Sequence, residues 1–450
     1  MSATNDIIVA PATLTGGAIA VVRLSGSGSI ALCDNIFRPA KGALKDAATH
    51  TLHYGEVVDG SRVVDDVLVS LFRAPHSYTG EESVEISCHG SHYIVQEIIE
   101  LLLAQGAKMA DAGEFTTRAY LAGRMDLSQA EAVADMIASN SKAQHAMATT
   151  QMRGGYSSRL ADLREQLVRL AALLELELDF SEEEVEFADR THLQSLMQSL
   201  ATEIEKLSTS FSLGNAIKNG VQVAIVGEPN VGKSTLLNAL LGDQRAMVSE
   251  IAGTTRDLIE EQMVIDGITF RFIDTAGVHS TEDKLELMGI ERTHWAIERA
   301  EVIIHLIDAL NIDSQRFTVD KSTLRKEQKV INVVNKIDKL SHYKREDGNI
   351  YICAKQGIGI EELTENLRQQ IDTKSLFEGA PIVSNLRHHE LLNQALKALK
   401  AAQKGVTENL PTDLLCQEIR EVLHHIGSIT GAITTNEILG EIFSKFCIGK

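Results

Sequence analysis

Leu160, Leu163, Leu167, Leu170 and Leu174 follow one another at steps of three and four, and after a polar break Leu193, Leu196, Leu200, Ile204, Leu207 and Phe211 repeat the spacing. Such steps gather apolar side chains on one face of a helix and predict two amphipathic helices, paired antiparallel. No proline lies between Pro75 and Pro229, so long helices are permitted there. The pattern changes near residue 216, where short β-rich runs "VQVAIV", "QMVID", "ITFRFI", "VIIHLI" and "KVINVV" each precede a loop or helical segment. That alternation predicts a mostly parallel sheet wrapped by helices. Helical spacing returns after Pro381 in Leu392, Leu396 and Leu399, in Leu415, Ile419, Val422 and Ile426, and in Ile438, Ile442 and Phe446. The α/β region is thus expected to be inserted between helical stretches that pack together. The first 115 or so residues mix strands such as "AIAVVRLSG" and "SVEISCHG" with a helical "YIVQEIIELLLAQG", which predicts a separate α/β or α+β module.

Composition narrows the picture. The 450 residues suit two to four domains, and 44% hydrophobic content suits filled cores. No run approaches 18 consecutive apolar residues and no basic-then-apolar leader is seen, so a soluble cytoplasmic protein without a membrane span is expected. The five cysteines are scattered and never spaced CxxC, which argues against a disulfide framework and a zinc cage. A net charge of −19 opposes nucleic acid at long range, so any RNA partner must meet a local basic patch or a second protein. Between the striped helices "ELELDFSEEEVEFADR" carries eight acids against one arginine, read as a solvated helix end and loop in preference to a metal or partner site. Cys88, His89 and His92, and the pairs His388–His389 and His424–His425, lack the spacing of a ligand set and are read as structural or exposed.

Chemistry concentrates in the α/β region. "GEPNVGKS", Gly227 to Ser234, follows a strand and precedes the helical "TLLNALL", the context of a phosphate-binding loop. Its backbone N–H groups, with Asn230, Val231, Gly232, Lys233, Ser234 and Thr235, cradle phosphates; Lys233 reaches the β/γ oxygens and Ser234 holds Mg²⁺. In "GTTRD", Gly253 to Asp257, Thr255 is the second Mg²⁺ ligand, and "DTAG" places Asp274 near the metal and the Gly277 N–H near the γ-phosphate, with Thr275 and Ala276 between. "NKID", with Asn335, Lys336 and Asp338, reads guanine, because the carboxylate accepts from N1–H and the 2-amino group, donors that adenine lacks on that edge. "CAK", Cys353, Ala354 and Lys355, fits the backbone contact to O6, with Cys353 read as a small substitute for serine in preference to a redox switch. Together these motifs predict GTP and GDP as ligands. Val278 stands where Ras-like enzymes have the water-orienting glutamine, and the Asn230 amide oxygen is suited to a monovalent cation that neutralises transition-state charge.

In their combination and order these motifs, with "GGAIAVVRLSG", "YTGEESVEISCHG", "GEFTTRAYLAGRMDLSQAEAVADMI" and the final "FCIGK", resemble the MnmE (TrmE) family of tRNA-modification GTPases over essentially the whole chain. The resemblance implies an α/β and α fold with four segments. Residues 1–118 form a folate-binding and dimerising α+β domain, 119–215 and 379–450 the two parts of a discontinuous helical domain, and 216–378 an inserted Ras-like G domain. It further implies a K⁺ site of Asn230, Ser249, Ile251 and Thr254 within a loop that includes Glu250, Ala252 and Gly253, and Glu286 as the residue orienting water indirectly. A tetrahydrofolate derivative, 5-formyl or 5,10-methylene, is implied at Arg23, Glu85 and Arg124, the last standing where a family member has lysine; Lys450 approaches it. Glu85 has a physical rationale, since a pterin shows the same N–H and amino edge as guanine.

Cys447 is implied to be catalytic, as acid, base or transient nucleophile toward the one-carbon unit or the uridine. Ile442 and Phe446 continue an apolar face, so the tail is expected to be docked. The implied partners are a second copy of the chain, tRNA, and the FAD-dependent MnmG, with which the wobble uridine receives an aminomethyl or carboxymethylaminomethyl group at C5. Two competing readings are a free-standing ribosome-assembly GTPase, which would be expected to carry a basic RNA-binding module, and a solitary folate-dependent aminomethyltransferase.

Overall fold

The alternating runs of residues 8–109 build a seven-stranded sheet of β1 (Ile8–Pro11), β2 (Ile19–Ser25), β3 (Phe37–Pro39), β4 (Thr51–Asp59), β5 (Arg62–Phe72), β6 (Ser83–His89) and β7 (Lys108–Met109), in the order β3-β4-β5-β6-β2-β1-β7. This computed structural model describes residues 6–179, 190–242, 261–273, 295–311, 324–325, 328–340, 345–370, 381–444, 446 and 449. The period of two decides the faces: Val22, Leu24, Val69, Leu71, Val84 and Ile86 are buried beneath α1 (Ser29–Asp34) and α2 (His92–Ala104), while Arg23, Ser70, Glu85 and Ser87 look the other way. On that second face Ile19, Leu52, Tyr54 and Leu68 are exposed.

The chain divides into two compact units, one of Met1–Ala134, Gln151–Asp189 and Lys404–Lys450, the other of Asp135–Thr150 and Arg190–Gln403. In the first, α3 (Glu114–Leu121) and most of α4 (Leu127–Ala138) follow the sheet; α5 (Lys142–Met152) lies almost wholly in the second, and the long α6 (Gly155–Asp179) belongs to the first again. All five leucines of the predicted α6 stripe are buried, each contributing about 2 kcal/mol. Their partner is helix Thr412–Thr430, through Leu415, Ile419, Val422 and Ile426, with Arg420 bound to Glu175 at 2.7 Å. The antiparallel partner expected for α6 was the next helix, α7 (Arg190–Thr209); a stripe specifies an apolar face but not its occupant. Of the acidic run, Glu175 and Glu177 lie at the end of α6, and residues 180–189 are outside the described residues.

In the second unit α7 pairs with helix Leu386–Thr407, where Ser208 donates to Asn393 at 2.6 Å and Lys400 meets Glu205 at 3.4 Å. Leu193, Leu200, Ile204 and Leu207 of the predicted α7 stripe are buried, while Leu196 is only half-buried beside the fully buried Met197. After α8 (Phe211–Asn219), six strands, β8 (Val221–Val226), β9 (Glu261–Ile265), β10 (Ile268–Ile273), β11 (Val302–Asp308), β12 (Lys329–Asn335) and β13 (Asn349–Tyr351), form a sheet in the order β13-β12-β11-β8-β10-β9. All neighbours are parallel except β9 and β10. The apolar runs of β8 and β11 are almost continuous because helices and loops bury both faces. The β9–β10 hairpin turns at Asp266 and Gly267, both with positive φ (50° and 82°), an Asp-Gly turn whose signature lies within "VIDGIT".

Candidate functional site

The phosphate loop leaves β8 at Val226 and enters α9 (Lys233–Leu241). Two of its glycines are enforced by close approach. A Cβ on Gly227 would lie 2.3 Å from the Leu306 oxygen, and one on Gly232 (φ 106°) would lie 2.5 Å from Asn335 Nδ2. Lys233 Nζ folds over the loop and donates to the Gly227 and Glu228 oxygens at 2.9 and 3.0 Å, and Ser234 and Thr235 are exposed on the first turn of α9. That turn presents the positive end of the helix dipole, which suits phosphate and a Mg²⁺ bound through Ser234. Asn230 is exposed in the loop with φ 60°, so its amide is accessible to a cation.

Three segments far apart in sequence interlock here. Asn335, 3% exposed, donates from Nδ2 to the Val231 oxygen at 2.9 Å and accepts at Oδ1 from the Ala354 N–H at 3.0 Å, so one side chain joins the phosphate loop, "NKID" and "CAK". Lys336 (φ 67°) donates to the Asn230 oxygen at 2.8 Å and to Asp308 at 2.7 Å. The Cys353 thiol donates to Asp338 Oδ1 at 3.1 Å. Burial first, and then that hydrogen bond, push the thiol above its ordinary pKa, so it is a neutral donor to the Asp338 carboxylate. Lys355 is exposed in the same turn. Ser249, Glu250, Ile251, Ala252, Gly253, Thr254, Thr255, Asp274, Thr275, Ala276, Gly277 and Glu286 lie outside the described residues.

The second candidate site lies on the seven-stranded sheet. Pairing of β2 with β6 puts Arg23 directly opposite Glu85, and the guanidinium donates to Glu85 Oε1 from Nε at 2.9 Å and from Nη2 at 2.8 Å. Arg23 also lies over the rings of Tyr78 (5.8 Å) and Phe115 (5.7 Å), and its Nη1 donates to the Gly449 oxygen at 3.4 Å. The tail is docked at both of its described residues: Phe446 packs with Leu127, Leu439 and Phe443, and Gly449 is buried. Cys447 and Lys450 lie outside the described residues. Among the described residues no hydrogen bond joins Arg124 to Arg23 or Glu85; it is exposed and lies against Gly80 in the loop that carries Tyr78. That loop is held by buried Arg118, which grips Glu81 (3.2 Å) and Glu114 (2.8 Å), and by Ser25, which donates to Glu81 at 2.8 Å. Sequence reasoning singled out neither Tyr78 nor Arg118, although Tyr78 stands within "YTGEES".

At the opposite, N-terminal ends of β11 and β12, a cleft of about 570 Å³ is lined by Phe211, Asn215, Glu301, Arg325, Lys329 and His389, with the His389 ring stacked on Phe211 at 4.3 Å. Burial pushes the Glu301 carboxyl from its ordinary 4.5 up to about 7, against the pull of Arg325 and a hydrogen bond from Asn215. A raised folded-state pKa means stability that is full below about 4.5 and lost as pH rises through about 7. Glu301→Gln is therefore expected to unfold later than the parent at pH 8, by on the order of 1–2 kcal/mol after allowance for solvent screening, with the gap closing by about pH 4. Denaturant titrations at the two pH values check this; an equal gap at both would remove the carboxyl as its cause.

Two family models match the chain, one described as the MnmE helical domain over residues 127–447 and one as the GTP-binding protein TrmE N-terminus over residues 7–124. The tRNA modification GTPase MnmE of Flavobacterium johnsoniae is 49% identical over 468 residues, covering 99% of each chain. That of Cytophaga hutchinsonii is 50% identical over 453 residues, covering 99% of this chain and 98% of the relative. Among solved structures, Era in complex with MgGDPNP and nucleotides 1506–1542 of 16S ribosomal RNA aligns at 29% identity and a TM-score of 0.26, over 39% of this chain and 65% of that one.

Proposed function

Because the chain belongs to the MnmE family of tRNA modification GTPases, matched along nearly its full length, we propose that it couples K⁺-activated GTP hydrolysis to folate-dependent modification of the wobble uridine of certain tRNAs. It is a GTP hydrolase of tRNA modification that uses GTP, GDP and Mg²⁺. The observation that carries the nucleotide part is the threefold junction at Asn335, which brings the phosphate loop, "NKID" and "CAK" together. In this reading Ser234 and Thr255 hold Mg²⁺, and Asn230, Ser249, Ile251 and Thr254 hold K⁺, which supplies the positive charge that other GTPases draw from an arginine. Glu286 orients the attacking water through an intermediary.

In the same reading Arg23, Glu85 and Arg124 form the folate site, approached by Lys450 and with Cys447 as the catalytic thiol, the bound folate supplying a one-carbon unit. The partly exposed ring of Tyr78 beside Arg23, and a Glu85 carboxylate suited to an N–H/amino edge, support a flat heteroaromatic ligand there. The exposed apolar face of the seven-stranded sheet, Ile19, Leu52, Tyr54 and Leu68, supports a homodimer through this domain. The four segments 1–118, 119–215, 216–378 and 379–450 are our assignment of the domains, and MnmG is the proposed redox partner. Among the described residues no helix is long and apolar enough to cross a membrane.

Hydrolysis of GTP in KCl and in NaCl at matched ionic strength tests the cation: turnover in KCl is expected to exceed that in NaCl at least about tenfold, a difference of about 1.4 kcal/mol or more in activation energy. Equal rates would remove K⁺ from the reading. Nucleoside mass spectrometry of tRNA treated with and without MnmG tests the partner.

A further inference from the structure

The Lys336 ammonium is shared between two strands' worth of architecture. It donates to Asp308 Oδ2 at 2.7 Å and to the Asn230 oxygen of the phosphate loop at 2.8 Å. Asp308 ends β11 and sits beside Asn335 in the β11–β12 register, so the acid and the "NKID" segment leave neighbouring strands side by side. The carboxylate is itself fixed, because Oδ1 accepts the Leu310 N–H at 3.0 Å. Burial alone would raise this carboxyl, but the hydrogen bonds from Lys336 and Leu310 outweigh it and hold it below its usual value. Both side chains are mostly buried, at 15% and 24% exposure, and Lys336 has a left-handed backbone (φ 67°) that non-glycine residues adopt only when neighbours enforce it.

Resting on the nucleotide reading above, we propose that Asp308 is a positioning residue for nucleotide retention: it aims Lys336 at the phosphate loop and so locks the guanine-reading segment to the segment that holds the phosphates. The adjacent tether, Asn335 to the Val231 oxygen, is made by an amide whose own geometry is fixed at both ends. The lysine tether differs, since its four-carbon stem has many rotamers and only the carboxylate selects one of them. With Asp308 changed to asparagine, Lys336 loses its charged acceptor and shares the single amide oxygen with the Leu310 N–H, so its aim is held less firmly and the phosphate loop and base loop separate more often. Nucleotide release is the step this affects.

The test follows dissociation of a fluorescent GDP analogue from the full-length protein. Asp308→Asn is expected to release GDP about tenfold faster than the parent. Lys336→Ala is expected to do the same or more, and the double variant to be no faster than Lys336→Ala alone, because the acid acts through the lysine. Asp308→Glu, which keeps the charge, is expected to release GDP more slowly than Asp308→Asn. Unchanged release in Asp308→Asn, or additive effects in the double variant, would overturn the proposal. Should the parent bind no GDP, the nucleotide reading falls and takes the proposal with it; a parent that binds GDP while its variants release it at the parent's rate overturns the proposal alone.

Discussion

Asp338→Asn is expected to turn this protein from a GTP-binding into a xanthosine-triphosphate-binding chain. Guanine offers N1–H and a 2-amino group to the carboxylate, and an asparagine at 338 replaces one accepting oxygen with a donor, leaving two donors facing each other. Sites built around such pairings reject the wrong partner strongly, so GTP affinity is expected to fall roughly 10³-fold. Xanthine carries a 2-carbonyl where guanine has the amine, so the new amide can donate to it and affinity for that nucleotide rises. The Cys353 thiol reaches Asp338 Oδ1 at 3.1 Å, and an asparagine carbonyl accepts that bond as well, so the substitution leaves the surrounding loop supported. Competition binding of the two triphosphates against a labelled guanine nucleotide measures the switch. Unchanged guanine affinity would mean that "NKID" does not read the base.

The second large effect is expected from a single methyl group. Gly449 has φ 93°, and a Cβ there would lie 2.2 Å from the Pro11 oxygen and 3.1 Å from the Pro11 carbonyl carbon. Those are backbone atoms of β1, which pairs with both β2 and β7, so the strand cannot step aside. Gly449→Ala therefore cannot keep the tail seated: the contact is sterically forbidden and the backbone conformation is one that alanine avoids. Loss of the seat also removes the Gly449 oxygen from Arg23. We expect wobble-uridine modification to fall about 100-fold or more, since Cys447 and Lys450 flank this glycine in sequence, while GTP hydrolysis stays within about twofold of the parent. Nucleoside mass spectrometry and phosphate release on the same preparation give both numbers. Wild-type modification would show that tail docking is irrelevant to the chemistry.

Several parts of this protein were legible in its sequence because the physics behind them is local. A phosphate loop must turn through glycine before a helix N-terminus, so "GEPNVGKS" between an apolar run and "TLLNALL" announces itself. The strands β8 and β11 appear as unbroken apolar runs because both of their faces are covered, and five leucines at helical spacing identify the buried face of α6. The Asp266–Gly267 hairpin was equally readable, with its signal overlooked in a region expected to be mostly parallel.

What sequence spacing does not contain is the identity of the surface that fills a face, or the register that sets one strand against another. The stripe of α6 demanded an apolar partner, and packing filled it with helix Thr412–Thr430, more than two hundred residues away, in place of the neighbouring α7. Arg23 and Glu85 were grouped only through the family resemblance, and their ion pair exists because β2 and β6 pair in a register that puts position 23 opposite 85. Asp308 carried no motif, and its hold on Lys336 comes from two adjacent parallel strands ending side by side. Gly449 reads as an ordinary small residue until the Pro11 carbonyl is found within a methyl's reach. The sequence by itself determined the local chemistry, since hydrogen-bonding groups and backbone preferences belong to the residues. The tertiary structure decided which of those groups meet, because burial and strand pairing are satisfied by the whole chain at once.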